Sequence, residues 1–182
     1  MRVIATEIPD VKLIEPTVYA DARGFFMETW RDDLFRQHVS ECSFVQDNHS
    51  KSCQGTLRGL HYQTENVQGK LVRVTSGEMF DVAVDMRQSS STFGQWVGVM
   101  LSAENKRQLW VPPGFAHGFY VLTEYAECVY RCTDYYNPSA EHTVSWDDPT
   151  LAINWPLIEG NPPLLSVKDR IAKSFFDAVA FS

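Results

Sequence analysis

Two short segments carry residue types that can move protons: Arg58-Gly59-Leu60-His61-Tyr62-Gln63, and Pro112-Pro113-Gly114-Phe115-Ala116-His117-Gly118. An imidazole ionises close to neutral pH, so a histidine that is not held by a metal can serve as a general base. His61 is the candidate for that role. Alone it could equally be a core histidine with its hydrogen bonds satisfied. Arg58 lies three residues before it, however, Gln63 two after and Lys70 on the next apolar run, and a plain core does not tolerate such a polar cluster. A first-row metal site takes three or four N, O or S ligands, which His61 and His117 do not supply, so no catalytic metal is expected.

Strands must position these residues. β-Branched and aromatic residues recur in short runs broken by Gly, Pro, Asn, Asp and Ser, which predicts strands at 12–19, 24–30, 43–50, 56–62, 70–75, 79–85, 95–101, 108–111, 118–122, 126–134 and 143–146. Many short strands make a sandwich or barrel. Leu34, Phe35 and Val39 behind Asp32 and Asp33 predict an amphipathic helix over 31–39, and a second helix is expected to begin near Ser166. The proline-rich stretch 154–165 is expected to wrap the barrel as a loop. In a regular strand Arg58 and His61 have opposite parity and face opposite sides of the sheet. A bulge at Gly59 shifts the phase by one residue and brings both into one cavity.

With 182 residues and 44% hydrophobic content, the chain is long enough for one buried core and short for two, so one domain over 1–182 is expected. No apolar run approaches the roughly 18 residues that cross a bilayer. The first residues lack a basic stretch followed by an apolar one. A cytoplasmic protein with no membrane partner is expected. A formal net charge of −7 argues against a nucleic-acid partner, yet it leaves room for a small anionic ligand held by a local cluster of Arg and Lys. Cys42, Cys53, Cys128 and Cys132 form no Cys-x-x-Cys pair and are read as free thiols, with Cys128 and Cys132 on one strand face as small core residues.

The second histidine segment resembles the Pro-x-Gly-x-x-His half of the cupin signature. In metal-dependent cupins the first half supplies a His-x-His pair, and here Gln63 stands at the second histidine position. The segments Asp21-Ala22-Arg23-Gly24-Phe25-Phe26, Gln46-Asp47-Asn48-His49-Ser50, Arg58-Gly59-Leu60-His61, Gly69-Lys70-Leu71-Val72-Arg73 and Pro113-Gly114-Phe115-Ala116-His117-Gly118-Phe119, followed by Tyr130 and Lys168-Asp169, together resemble the dTDP-4-dehydrorhamnose 3,5-epimerase family across nearly the whole chain. The resemblance implies a mainly β, cupin-type jelly-roll sandwich or barrel with a few short helices. It implies inversion at carbons 3 and 5 of dTDP-4-dehydro-6-deoxy-D-glucose, giving dTDP-4-dehydro-L-rhamnose for dTDP-L-rhamnose biosynthesis, with no cofactor.

In that chemistry the ketone at sugar carbon 4 acidifies the hydrogens on both neighbours. A base on one face leaves an enolate, and an acid on the other face completes the inversion. His61 matches the family's base, Tyr130 its acid and Asp169 the carboxylate that orients the base, as in other His–Asp pairs. Lys70 would stabilise the enolate oxygen. Arg23, Arg58 and Lys168 match residues lining the nucleotide-sugar site, and Glu28, Gln46, Asn48, Lys70, His117 and Glu141 match further ligand contacts. Tyr136 and Phe25 are candidates to stack on thymine. Family members are homodimers that exchange N-terminal strands, so the segment from Arg23 to Glu28 is expected to serve a partner's site. Three alternatives stand beside this reading: an epimerase of carbon 3 or carbon 5 alone, a nucleotide-sugar-binding cupin without activity, and a metal-dependent cupin oxygenase or isomerase, which Gln63 disfavours.

Overall fold

The computed structural model describes residues 1–181. In chain order the strands are β1 (Arg2–Ala5), β2 (Lys12–Glu15), β3 (Val18–Asp21), β4 (Gly24–Met27), β5 (Gln46–Cys53), β6 (Leu57–Gln63), β7 (Lys70–Ser76), β8 (Glu78–Asp85), β9 (Trp96–Ser102), β10 (Gln108–Val111), β11 (Phe115–Val121), β12 (Tyr125–Cys132) and β13 (Glu141–Thr143). The helices are α1 (Asp32–His38) and α2 (Val167–Arg170). The strands form a six-stranded sheet, β1-β2-β10-β7-β12-β5, a five-stranded sheet, β13-β6-β11-β8-β9, and a separate hairpin of β3 and β4. No helix among the described residues is long and apolar enough to cross a membrane.

Alternation along each strand sorts the side chains between faces. Val72 and Val74 of β7, Met79 and Ala83 of β8, Phe115 and Phe119 of β11 and Cys128 of β12 meet in one buried cluster between the two sheets. Their neighbours of opposite parity, Leu60 and Tyr62 of β6, Val82 and Val84 of β8 and Ala116 of β11, pack on the outer face of the five-stranded sheet beneath Leu151, Trp155 and Phe175 from the C-terminal segment. The outer face of the six-stranded sheet is covered where Phe35 of α1 meets Ile14, Leu71 and Trp110. Phe35 and Trp110 make a T-shaped contact at 5.2 Å.

Several sequence expectations need correction. The predicted strand 12–19 is two strands split at Pro16, whose ring nitrogen has no hydrogen to give a ladder. After the split β2 pairs with β1 and β10, whereas β3 pairs with β4 in the separate hairpin. β1 had no counterpart in the sequence reading. β11 begins at Phe115 rather than 118, directly after the Gly114 turn (φ +89°), so His117 lies inside a strand. β5 begins at Gln46 rather than 43, because Phe44 packs into the α1 cluster. The last strand is Glu141–Thr143 rather than 143–146. Cys42, Cys53, Cys128 and Cys132 are free thiols, Cys128 and Cys132 being buried.

Candidate active site

A cavity of about 620 Å³ opens between the two sheets. Its position follows from the bulge at Gly59. His117 pairs with His61 and Phe119 with Arg58, so β6 takes three steps where β11 takes two, and Arg58 and His61 line the same cavity. The bulge admits only glycine: Gly59 has φ +131°, and a Cβ there would stand 2.5 Å from the Gly118 Cα.

His61 is mostly buried and its Nε2 lies 2.6 Å from Asp169 Oδ1. Asp169 is itself pinned. Its Oδ1 also accepts from the Gly59 N–H at 3.3 Å and its Oδ2 from the Ser166 hydroxyl at 2.6 Å, within a capping box that starts α2. Burial would raise the Asp169 carboxyl, but the hydrogen bonds from His61 and Ser166 outweigh it and hold the group below the ordinary aspartate value. Burial pulls His61 below its ordinary value, with Lys168 and Lys70 adding to the effect and Asp169 opposing it. The ring is therefore neutral near pH 7. With Nε2–H given to the carboxylate, Nδ1 is the nitrogen with a free lone pair.

The opposite wall comes from the six-stranded sheet. β7 and β12 bring Lys70, Cys128 and Tyr130 to the cavity, and β5 brings Gln46, Asn48 and Ser50. Burial pushes the Tyr130 phenol up to about 12, so it keeps its proton. Burial also lowers the Lys70 ammonium, with Cys132, its cross-strand partner, Glu141 and Asp81 acting against the shift. At the rim Glu141 accepts from Lys168 at 2.7 Å and from the Tyr136 hydroxyl at 3.1 Å. Arg58 donates from Nε to Ser52 Oγ at 3.1 Å.

His61, Tyr130, Asp169, Lys70, Gln46, Asn48, Arg58, His117, Glu141 and Lys168 thus gather around one cavity. Arg23 and Glu28 do not join them within this chain. Arg23 sits at the exposed tip of the β3–β4 hairpin on Asp21, and Glu28 lines a small hollow beside Trp30 and Phe35. Of the stacking candidates, Tyr136 lines the cavity, while Phe25 lies under Lys106 in the hairpin region. Gln63 is spent on structure: its amide nitrogen donates to Asn66 O at 2.8 Å and its oxygen accepts from Asn137 N at 3.1 Å.

Sequence reasoning missed Asp81, Ser52 and Ser166. Asp81 is fully buried and its Oδ1 lies 2.8 Å from His117 Nε2, so the facing histidines of β6 and β11 each rest on a carboxylate. Asp81 Oδ2 has no hydrogen-bond partner among the described residues. The signal was a carboxylate at inward parity in the apolar run of β8. A helix was expected to begin near Ser166; the serine is its N-cap, and the cap also shapes the site because its partner is Asp169.

A base held by a carboxylate on one sheet, a protonated phenol on the other and cationic groups between them suit proton removal from one face of a bound carbon acid and return to the other. The family model of dTDP-4-dehydrorhamnose 3,5-epimerase matches residues 5–177. A dTDP-4-dehydrorhamnose 3,5-epimerase of Pseudomonas aeruginosa is 57% identical over 182 residues, covering 100% of this chain and 99% of that one. One of Neisseria gonorrhoeae is 59% identical over 178 residues, 98% of this chain, which spans 54% of that relative's length. The crystal structure of a dTDP-6-deoxy-D-glucose-3,5-epimerase from Legionella pneumophila, solved in complex with dTDP-4-keto-L-rhamnose, superposes with a TM-score of 0.93 at 54% identity, covering 96% of this chain and 93% of that one. Matched along nearly its whole length by sequence and by structure, the chain belongs to the dTDP-4-dehydrorhamnose 3,5-epimerase family.

Proposed function

We propose that the chain is a dTDP-4-dehydrorhamnose 3,5-epimerase, a single-domain isomerase that converts dTDP-4-dehydro-6-deoxy-D-glucose to dTDP-4-dehydro-L-rhamnose. The observation that carries this reading is the placement of His61 and Tyr130 on opposing sheets of one cavity, with Asp169 behind the histidine. His61 Nδ1 takes the proton from a carbon next to the ketone. The C–H electron pair becomes a carbon–carbon double bond, and the carbonyl oxygen becomes an enolate that the Lys70 ammonium stabilises. Tyr130 delivers a proton to the opposite face, the ketone reforms, and proton exchange with water resets imidazolium and phenolate. The same sequence at the second carbon completes the double inversion.

Arg58 and Lys168 are the cations offered to the diphosphate, and Tyr136 the surface offered to the base. This reading places Arg23 and Glu28 in the cavity of a second copy. Among the described residues the β3–β4 hairpin pairs with no other strand, and it exposes Tyr19, Phe25 and Phe26, which supports a homodimer. Activity should fall on dilution to monomers, and activity that survives a demonstrated dissociation counts against the shared site. Four free cysteines support a reducing, cytoplasmic setting.

The test is proton NMR of dTDP-4-keto-6-deoxyglucose with the protein in deuterated water, with a downstream reductase to trap the product. Exchange at carbons 3 and 5 with trapping of the L-lyxo sugar is expected. Exchange at one carbon makes the chain a mono-epimerase, and binding without exchange reduces it to a nucleotide-sugar-binding protein.

A further inference from the structure

The inward face of β5 reads Gln46, Asn48, Ser50, Ser52, a row of amides and hydroxyls without a charge. The first three line the cavity and Ser52 does not: it is 6% exposed and lies behind Arg58, whose Nε it accepts. Many of the arginines rest on carboxylates, as Arg87 does on Asp85 and Arg131 on Asp47, whereas Arg58, Arg73 and Arg170 make no such ion pair among the described residues. Of these three only Arg58 lines the cavity. Its hydrogen bond goes to a neutral hydroxyl, its charge is not met by an acid among the described residues, and its outer nitrogens stay free in a cavity meant for a diphosphate.

We propose that Ser52 is a positioning residue for anion binding: it fixes the Arg58 guanidinium through Nε, so that the outer nitrogens present a ready fork to the diphosphate, and as a neutral acceptor it leaves the full charge available. A carboxylate at this place would hold the arginine as firmly but would compete with the ligand. An alanine would leave the charge yet release the fork, whose ordering would then be charged against binding. This inference rests on the reading of Arg58 as a diphosphate ligand.

The test is a double-mutant cycle on dTDP affinity, by calorimetry, together with steady-state kinetics. Ser52→Ala should weaken dTDP binding by about three- to tenfold and raise KM by a similar factor, with kcat within about twofold, as expected for loss of one hydrogen bond that acts on binding alone. Arg58→Ala should weaken binding more, and adding Ser52→Ala to it should change nothing further, since the serine acts through the arginine. Thermal melting of each variant establishes that it is folded. Unchanged dTDP affinity in Ser52→Ala beside a clear loss in Arg58→Ala overturns the role of Ser52 alone. The same holds if the two losses multiply. Unchanged affinity in Arg58→Ala overturns the reading of the diphosphate site beneath it.

Discussion

Replacing Asp169 by asparagine removes a charge from the site while keeping all but one of its side-chain hydrogen bonds. Asp169 Oδ1 faces the Gly59 N–H, which can only donate, whereas Oδ2 faces the Ser166 hydroxyl, which can turn and accept, and the Ser166 N–H at 3.4 Å, whose long bond is the one lost. The amide nitrogen of Asp169→Asn therefore settles on the Ser166 side and its oxygen stays toward His61. The tautomer of His61 is kept, and the negative charge behind it is lost. Imidazolium and carboxylate with charge centres about 4 Å apart, at an effective dielectric constant of about 20, attract by ~4 kcal/mol. The imidazolium forms as the proton leaves the sugar, so up to about a thousandfold in the rate of proton abstraction is at stake. Deuterium wash-in at carbons 3 and 5, followed by proton NMR, measures it, with dTDP affinity as the control expected to stay unchanged. The pH profile supplies a second reading. Catalysis needs neutral His61, whose pKa lies below the ordinary histidine value, so kcat/KM falls only as pH drops beneath that value. Losing Asp169, which raises the histidine, moves the acid limb lower still. Wash-in within about tenfold of the parent, or an acid limb that moves up, would refute the assignment of Asp169.

Gly59→Ala brings a side chain to φ +131° and to 2.5 Å from the Gly118 Cα, so a loss of roughly 3 kcal/mol or more in chemical denaturation is expected, with activity lost alongside as Arg58 and His61 lose their common phase. Tyr130→Phe removes the proton donor and leaves His61 untouched. Wash-in should continue while formation of the L-sugar, read by reductase trapping, drops by at least about a hundredfold, and loss of both in a variant that still binds dTDP would count against an acid role. Asp85 is fully buried and accepts from Arg87, Ser90 and Thr92, which outweigh burial and hold its carboxyl at about 2 against an ordinary 3.8. Its contribution is present above pH 3.8 and lost as pH falls toward 2, so Asp85→Asn should cost about 2 kcal/mol near neutral pH and progressively less below pH 4 in urea titrations.

The sheets were legible where apolar residues fill seven or eight positions between turn residues: β12 alternates at its start, with Ala126 and Cys128 buried between more exposed neighbours, whereas β7 and β8 are buried on both faces and read as runs rich in apolar residues. β1 was not, since a four-residue edge strand held only by β2 carries too few positions for a period to show. Gly59 was the most informative single residue: the conflict of parity between Arg58 and His61 demanded a bulge, and the ladder has one there. The site was legible in its chemistry and less so in its supports. Ser52, Asp81 and Ser166 act through a second side chain, and nothing in a one-dimensional pattern announces which arginine or histidine a buried polar group will meet. Only the register of β5 and the packing of β8 and α2 decide that.

An acidic chain that takes a diphosphate needs its cavity to differ in sign from its surface, and the pairing within the site produces that difference. Each cavity carboxylate is already engaged, Asp169 with His61 and Glu141 with Lys168. Arg58 meets a hydroxyl and Lys70 a cross-strand thiol residue, so among the described residues neither cation is neutralised by an ion pair. At Lys70 burial makes this costly for the free protein and lowers the ammonium. An anionic ligand and a developing enolate relieve that cost, so the arrangement favours the charged states along the reaction over the empty site.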